Sequence, residues 1–167
     1  MYIYNKINKY DLEQGYHLIK RIIDNLMKKN NVSYGSSANA TNKYKEMRKF
    51  RDENGYFEVF NGGDHGYLGK YYNIKFRALH DSMHYSRGLT FSFEDEKELS
   101  DISAKLFSSI AYNEFNANHW ECYLVYKIMT AEIRGQIEHY ELNKNYVNDQ
   151  KEFINTYLNV RNEHARY

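Results

Sequence analysis

Apolar residues recur at helical spacing along most of the chain. The first such segment begins at Asp11, whose side chain suits the N-cap position, and ends near Lys29. This pattern predicts one long amphipathic helix. Its apolar positions are Leu12, Tyr16, Ile19, Ile22, Ile23, Leu26 and Met27.

Five further segments show helical spacing or helix-forming composition. The absence of Pro supports helices here, because Pro is the residue that most often interrupts them. Ser92 is placed to cap the fourth predicted helix. The small polar residues of 30–41 predict a loop. The five further predicted helices cover residues 42–53, 74–86, 94–113, 117–141 and 147–163.

One short segment favours a β-strand. Residues Tyr56–Phe60 alternate in polarity and are followed by Asn61–Asp64, a turn sequence, which predicts a small hairpin with residues 67–73. No Gly-Lys-Ser/Thr follows the nearby glycines, which argues against a P-loop. The prediction is a mainly α single domain over residues 1–167: a helical bundle of five to six helices with at most a small β-hairpin.

Charge and composition exclude several classes of protein. With 23 Lys and Arg against 22 Asp and Glu, the chain lacks the basic excess of a dedicated nucleic-acid or membrane-surface binder. Its lone Cys122 excludes an internal disulfide and a multi-Cys zinc site, and fits a reducing compartment. No stretch approaches the roughly 20 apolar residues of a membrane span, and no signal-peptide pattern opens the sequence. We therefore expect a cytoplasmic protein without membrane partners.

The segment Phe76–His84, FRALHDSMH, contains the first candidate site. On a helix, His80 and His84 lie four residues apart on one face, with Arg77 one turn earlier and Asp81 at their flank. Two imidazoles at this spacing can bind one metal ion, as in HExxH helices, although Asp81 here replaces the Glu. The alternative is a pair of ordinary, partly exposed histidines.

A second candidate lies in the predicted helix 117–141, where one stripe mixes apolar and ionisable residues. Carboxylates on an inward stripe need a cation or strong hydrogen bonds to offset desolvation. Gly135 would let another helix or a ligand approach closely. The alternative is a structural network in which Glu132 pairs with Arg77 or Arg134. The stripe comprises Glu121, Val125, Ile128, Glu132, Gly135, Gln136 and His139.

The acidic start of the predicted helix 94–113 offers a further ligand. Acids in a first turn suit the helix dipole, which is a sufficient reason for most of them. Glu96 or Glu98 could also reach the bundle interior.

Two of these segments together resemble a family of short bacteriophage proteins that combine an FRAxHDxxxH-like segment with a downstream TExRGQ-like segment. The matching stretches here are FRALHDSMHYSRGLTF, residues 76–91, and TAEIRGQIEH, residues 130–139. The resemblance implies the cytoplasm of an infected bacterial host but no particular activity. In the family a Gly-His pair stands one position later than His84. The residues to which the resemblance points are Arg77, His80, Asp81, Glu132, Arg134 and Gln136.

A weaker local likeness is to HD-domain phosphohydrolases, which are helical enzymes with a metal-binding His-Asp dyad. Here His80 and Asp81 are similar to that dyad. The likeness implies an upstream His, either His65 or His17, and a downstream Asp, for which Asp101 is the candidate.

Two functions compete on this evidence. The first is a metal-dependent hydrolase of a phosphoester or nucleotide, with a small phosphorylated ligand and a divalent Mn, Fe or Zn ion. In it, Arg77 or Arg134 would neutralise phosphate charge. The predicted metal ligands are His80, Asp81, His84, Glu132 and His139. The predicted catalytic residues are Arg77, Asp81, Glu132, Arg134 and Gln136.

The second function is a non-enzymatic phage accessory protein that binds and inhibits a host or anti-phage defence protein. The polar motif would then be structural, and the 18 Tyr residues would supply contact area. A third interpretation, nucleic-acid binding, is disfavoured by the net charge of +1. It would use Lys43, Lys45, Arg48, Lys49 and Arg51.

Overall fold

The computed structural model describes residues 6–160, which form a helical body with one small sheet. The predicted mainly α fold with a small β element is confirmed. A π-helical turn, Ala131–Gly135, joins α5 to α6 in one continuous helical segment. The helices are α1 Lys9–Lys29, α2 Tyr44–Asn54, α3 Gly69–Arg87, α4 Phe93–Phe115, α5 His119–Thr130, α6 Gln136–Asn143 and α7 Gln150–Tyr157. The strands are β1 Tyr34–Ser37 and β2 Phe57–Phe60.

Hydrogen-bonding side chains determine where the longest helices begin. At α1, the Asp11 amide donates to Asn8 Oδ1 at 2.8 Å and the Asn8 amide donates to Asp11 Oδ2 at 3.1 Å. This is a capping box, so the N-cap is Asn8, and the expectation that Asp11 caps the helix was wrong by three residues. Ser92 does cap α4, where its Oγ accepts from the Asp95 amide.

The sheet is parallel, with Tyr34 opposite Phe57 and Ser37 opposite Phe60. Helix α2 is the crossover between the two strands, as a parallel pair requires a long connection. The expected hairpin with residues 67–73 was therefore wrong, since α3 begins at Gly69. The predicted loop 30–41 contains the partner strand instead. Alternation within 56–60 shows that a strand forms but not which segment pairs with it.

The predicted helix 117–141 corresponds to the continuous segment of α5, the π-turn and α6, and only the π-turn within it was not predicted. The predicted helix 147–163 is the shorter α7. The positions of the last predicted helix beyond residue 160 lie outside the described residues.

The core forms around α1, which packs against α3, α4 and α5. Its apolar stripe is buried as the spacing predicts, with Leu12, Ile22 and Ile23 fully enclosed. From the other helices, Leu99 and Ile128 are equally inaccessible. Among the described residues, no helix combines the length and apolar character needed to cross a bilayer.

Gly15 lies where α1 crosses α5. A Cβ atom at this position would stand 2.4 Å from Cδ1 of Ile128 and 3.6 Å from Cβ of Leu124. Since Ile128 is fully buried, its side chain has little room to move away. The two helices therefore approach closely because residue 15 has no side chain.

We expect Gly15→Ala to destabilise the protein and Ile128→Val, which removes the clashing Cδ1, to relieve part of that loss. The double variant should be more stable than the sum of the single effects predicts, by about 0.5–3 kcal/mol in urea unfolding. Gly135→Ala combined with Ile128→Val is the control. Its effects should add, because the position of a Cβ at 135 faces Tyr157 and Phe153 rather than Ile128.

Candidate metal centre

Two histidines on α3 and one glutamate on α4 converge inside the protein. The Nε2 atoms of His80 and His84 are 3.0 Å apart. The Glu96 carboxylate places Oε2 3.1 Å from His80 Nε2 and Oε1 3.3 Å from His84 Nε2. The His84 side chain is fully buried, whereas the His80 and Glu96 side chains are 17% and 14% exposed. All three therefore present ligand-type atoms to one small volume.

The connection between α3 and α4 orients this group. Gly88 ends α3 with a left-handed φ of 68°, and the Leu89 amide returns to the carbonyl of His84. The Leu89 carbonyl in turn lies 3.1 Å from His84 Nδ1. The ring of Phe91 packs edge-on against His84 with centroids 4.8 Å apart. The tight turn thus holds His84 at a defined angle.

The hydrogen-bond pattern leaves too few protons for these contacts. Because a carbonyl only accepts, the contact with Leu89 assigns the proton of a neutral His84 to Nδ1. Its Nε2 is then an acceptor that faces a carboxylate oxygen of Glu96, another acceptor. His80 can donate from Nε2 to one of them but not to both. A cation between the three groups, either a metal ion or an extra proton, resolves the conflict.

The spacing suits a metal ion. Ligands bound to one ion at about 2.0–2.2 Å stand roughly 3.0–3.5 Å apart, which is the separation seen here. Within residues 6–160, only one group of three or more His, Cys, Asp or Glu side chains has its ligand atoms within 4.8 Å of one another. Its members are His80, His84 and Glu96. The other ring nitrogen of His80, Nδ1, is buried without a hydrogen-bond partner among those residues.

The charges of His80, His84 and Glu96 change the pKa values of the carboxyl groups nearby. Burial works toward a higher pKa for Glu96, but the charge and hydrogen bonds of His80 and His84 outweigh it and lower the pKa of this carboxyl. Burial raises the pKa of the neighbouring Asp81 to about 7; the charge on Glu96 adds to this, while His84 and Arg77 oppose it. Asp81 therefore lies in the electrostatic field of the centre, although its carboxylate is outside the group of three.

Among residues 6–160, Arg77 forms no ion pair with a carboxylate. Its Nη1 donates to two backbone carbonyls. One belongs to Phe60, the last residue of β2, and the other to Gly62 in the loop that follows. Burial lowers the pKa of this arginine, and the nearby Asp81 opposes that effect. The predicted pairing of Arg77 with Glu132 is therefore absent.

Glu132 belongs to a separate buried group in the π-turn. Tyr16 of α1 donates a short hydrogen bond to its Oε1, and Gln136 donates to Oε2 at 2.9 Å. Burial raises the pKa of Glu132 to about 7, the two hydrogen bonds oppose this, and the charge on Asp64 adds to it. Burial and the charge of Glu132 raise the pKa of Tyr16 well above its usual value. The expectation of strong hydrogen bonds at Glu132 is met, but not within one site with His80.

The remaining predicted residues lie apart from the centre. His139 packs its ring against Phe153 and contacts Asn145. Arg134 pairs with Glu138 at 2.9 Å and with Asp101 at 3.5 Å, so Asp101 is not a third ligand. Glu121 closes the capping box of α5, and Glu98 is exposed.

Two partners of the candidate residues could not be recognised in the sequence. Tyr16 lies on the apolar stripe of α1. Its spacing there is that of an ordinary core residue, so nothing in the sequence marks it as the hydrogen-bond donor to Glu132. The Leu89 carbonyl is a backbone group, for which only the Gly88 turn signal gives a hint. Glu96 was predicted as one of two alternatives with Glu98. Of the two, Glu96 faces the histidines from the first turn of α4.

Comparisons with known proteins give no assignment. No protein-family model matches the chain, and neither curated proteins nor solved structures give a significant match. The function therefore has to be inferred from the geometry of the described residues.

Glu132 provides a test of the buried polar group. A carboxyl whose pKa is higher in the folded than in the unfolded protein stabilises the fold while it is protonated. Here that contribution is complete below about pH 4.5 and is lost as the pH rises through about 7. We expect Glu132→Gln to be more stable relative to wild type at pH 8 than at pH 5, by about 2.5 kcal/mol in urea unfolding.

The matched control for this measurement is Glu141→Gln, a substitution at an exposed carboxylate. Its effect on the free energy of unfolding should be the same at both pH values. An effect of Glu132→Gln that does not change between pH 5 and pH 8 would show that Glu132 is ionised throughout.

Proposed function

We propose that this protein is a divalent-metal-dependent hydrolase whose metal ion is held by His80, His84 and Glu96. The observation that carries the proposal is the convergence of two imidazole nitrogens and a carboxylate at 3.0–3.3 Å with too few protons to satisfy them. Two histidines and one carboxylate form a ligand set used for catalytic zinc and for non-haem iron. Mn, Fe and Zn are therefore the candidate ions.

The ligand number supports catalysis. Three protein ligands leave further coordination positions for water, and a bound divalent ion lowers the pKa of such a water toward neutrality. The Leu89 carbonyl supports the ligand set, because a second hydrogen bond to a metal-binding histidine holds its ring in place. We place the approach of solvent and a small substrate on the side of His80 and Glu96, because these side chains are partly exposed whereas His84 is fully buried.

Asp81 is the candidate proton acceptor. It follows His80 directly, at the position that Glu occupies in HExxH helices. Burial raises the pKa of its carboxyl to about 7, with His84, Glu96 and Arg77 as the neighbouring charges, and a general base works best when its pKa lies near the working pH. We assign it the transfer of the water proton during hydrolysis of a small phosphoester or nucleotide.

The setting proposed for this activity is the cytoplasm of an infected bacterial host. The alternative there is a phage accessory protein that binds and inhibits a host or defence protein. One observation favours it: Tyr10, Tyr71 and Tyr146 are 64%, 61% and 69% exposed, and exposed tyrosines supply contact area at interfaces. In that case the group of His80, His84 and Glu96 would only stabilise the fold.

Metal binding separates these functions. Protein purified without chelator should contain about one Mn, Fe or Zn ion per chain by elemental analysis. After removal of that ion, adding Mn²⁺ or Zn²⁺ at about 100 times its Kd should raise Tm by roughly 5–10 °C. His84→Ala should lose both the ion and the shift, as should Glu96→Gln in large part.

His139→Ala is the matched control, since this histidine lies outside the centre and should leave metal content unchanged. Hydrolysis should be measured with p-nitrophenyl phosphate and a panel of nucleotides, with and without Mn²⁺. A metal-free protein whose Tm ignores both ions would overturn the metal centre. Stoichiometric metal without hydrolysis of any phosphoester would leave the centre in place and overturn the hydrolase.

A further inference from the structure

Both ring nitrogens of His84 are linked to the first turn of α4. Glu96 approaches Nε2 directly, with its Oε1 3.3 Å away. We propose that the neighbouring Asp95 is a positioning residue of the metal centre, which holds the other nitrogen, Nδ1, through the peptide group between Leu89 and Thr90. This inference rests on the proposed metal centre and adds to it a residue that determines how well His84 binds the ion.

The peptide group between Leu89 and Thr90 makes a hydrogen bond at each end. The Leu89 carbonyl accepts from His84 Nδ1 at 3.1 Å, and the Thr90 amide donates to Asp95 Oδ2 at 2.8 Å. A trans peptide group is planar, and its C=O and N–H point in opposite directions. A partner that fixes the N–H therefore also fixes the carbonyl. The Asp95 carboxylate thus determines where the acceptor for His84 lies.

Further hydrogen bonds keep the Asp95 carboxylate in this place. The Thr90 hydroxyl donates a second, short hydrogen bond to the same Oδ2 atom and accepts from the Ser92 amide at 3.3 Å. The Ser92 hydroxyl in turn accepts from the Asp95 amide at 3.3 Å. Because these bonds join the loop and the start of α4 to each other, the carboxylate and the peptide group keep one relative position.

A second peptide group ties the same loop to His84. The Leu89 amide donates to the His84 carbonyl at 3.2 Å, in the turn that Gly88 makes possible with its φ of 68°. Leu89 therefore binds the backbone of His84 through its amide and the ring through its carbonyl. The imidazole is fully buried, and the Phe91 ring packs against it with centroids 4.8 Å apart. A hydrogen bond in such a setting is stronger than one in water.

The negative charge of Asp95 makes the Leu89 carbonyl a stronger acceptor. A carboxylate that accepts from a peptide N–H polarises the peptide group, because linked hydrogen bonds strengthen one another. Outer hydrogen-bond partners of this kind orient a metal-binding histidine and make its other nitrogen a better ligand. Asp95 therefore acts on the bound ion through His84 and does not touch the ion itself.

The helix dipole alone does not account for the position of Asp95. The acids Glu94, Asp95 and Glu96 occupy the first turn of α4, where any acid is stabilised by the positive end of the helix. Their side chains nevertheless take different directions. Glu94 is 79% exposed and lies 3.6 Å from Lys97, whereas Asp95 turns back to Thr90. Glu94 is therefore a matched control, with the same charge in the same turn.

Zn²⁺ is the probe, because it is diamagnetic and permits NMR spectra of the loaded protein. Asp95→Asn keeps an acceptor oxygen but loses the charge, so we expect its Kd for Zn²⁺ to rise about 3- to 10-fold; Asp95→Ala should cost about 10- to 100-fold. In both, the Nδ1 proton signal of His84 should move upfield as its hydrogen bond weakens. Glu94→Gln should change neither quantity. Circular dichroism verifies that each variant is folded.

The outcomes separate this inference from the metal centre. Zn²⁺ binding that is equal in wild type and Asp95→Asn would overturn the role of Asp95 and leave the centre in place. Weaker binding with an unchanged His84 signal would reveal an effect of charge alone and would also overturn the positioning role. A wild type that binds no Zn²⁺ or Mn²⁺ would overturn the metal centre itself. Binding that depends on Asp95, without hydrolysis of any phosphoester, would support the positioning role and overturn only the hydrolase.

Discussion

Each ionisable side chain enclosed by this helical body needs a compensating partner, and the arrangement of the interior follows from that constraint. Glu132 is compensated by a phenol and an amide, both neutral, so it gains hydrogen bonds but no opposite charge. Arg77 is compensated by backbone carbonyls. The pair His80 and His84 differs, because its partner Glu96 brings a further acceptor rather than enough donors. That excess of acceptors distinguishes a candidate ion site from an ordinary buried network.

Helices were predictable because each is encoded within its own segment. The apolar stripe of α1 and the serine cap of α4 both involve residues within a few positions of one another. Features that depend on distant residues were not predictable. Strand β2 could be recognised, but its partner β1 lies on the other side of α2. The true start of α1 was missed because Asp11 fits two positions of the same capping box.

In the candidate site, too, the features encoded within one segment were predictable and those that depend on distant residues were not. His80 and His84 could be paired because one helix sets their spacing, whereas the third candidate ligand, Glu96, comes from the next helix and depends on how the two helices pack. The stripe that was expected to carry Glu132 and His139 inward still brings Gln136 to Glu132, but it does not bring His139 there. Five residues of π-helix rotate the chain through roughly a quarter turn less than five residues of α-helix, so His139 no longer follows Glu132.

The parallel pairing of β1 with β2 has a consequence for the order in which the protein folds. A hairpin can zip up from its turn, but a parallel pair must wait until the whole intervening helix, here α2, has closed the loop. The carbonyls that hold Arg77 belong to the end of β2 and the residues after it. We therefore expect the histidine pair of α3 to exist as soon as that helix forms, while the setting of Arg77 becomes complete only in the last stages of folding.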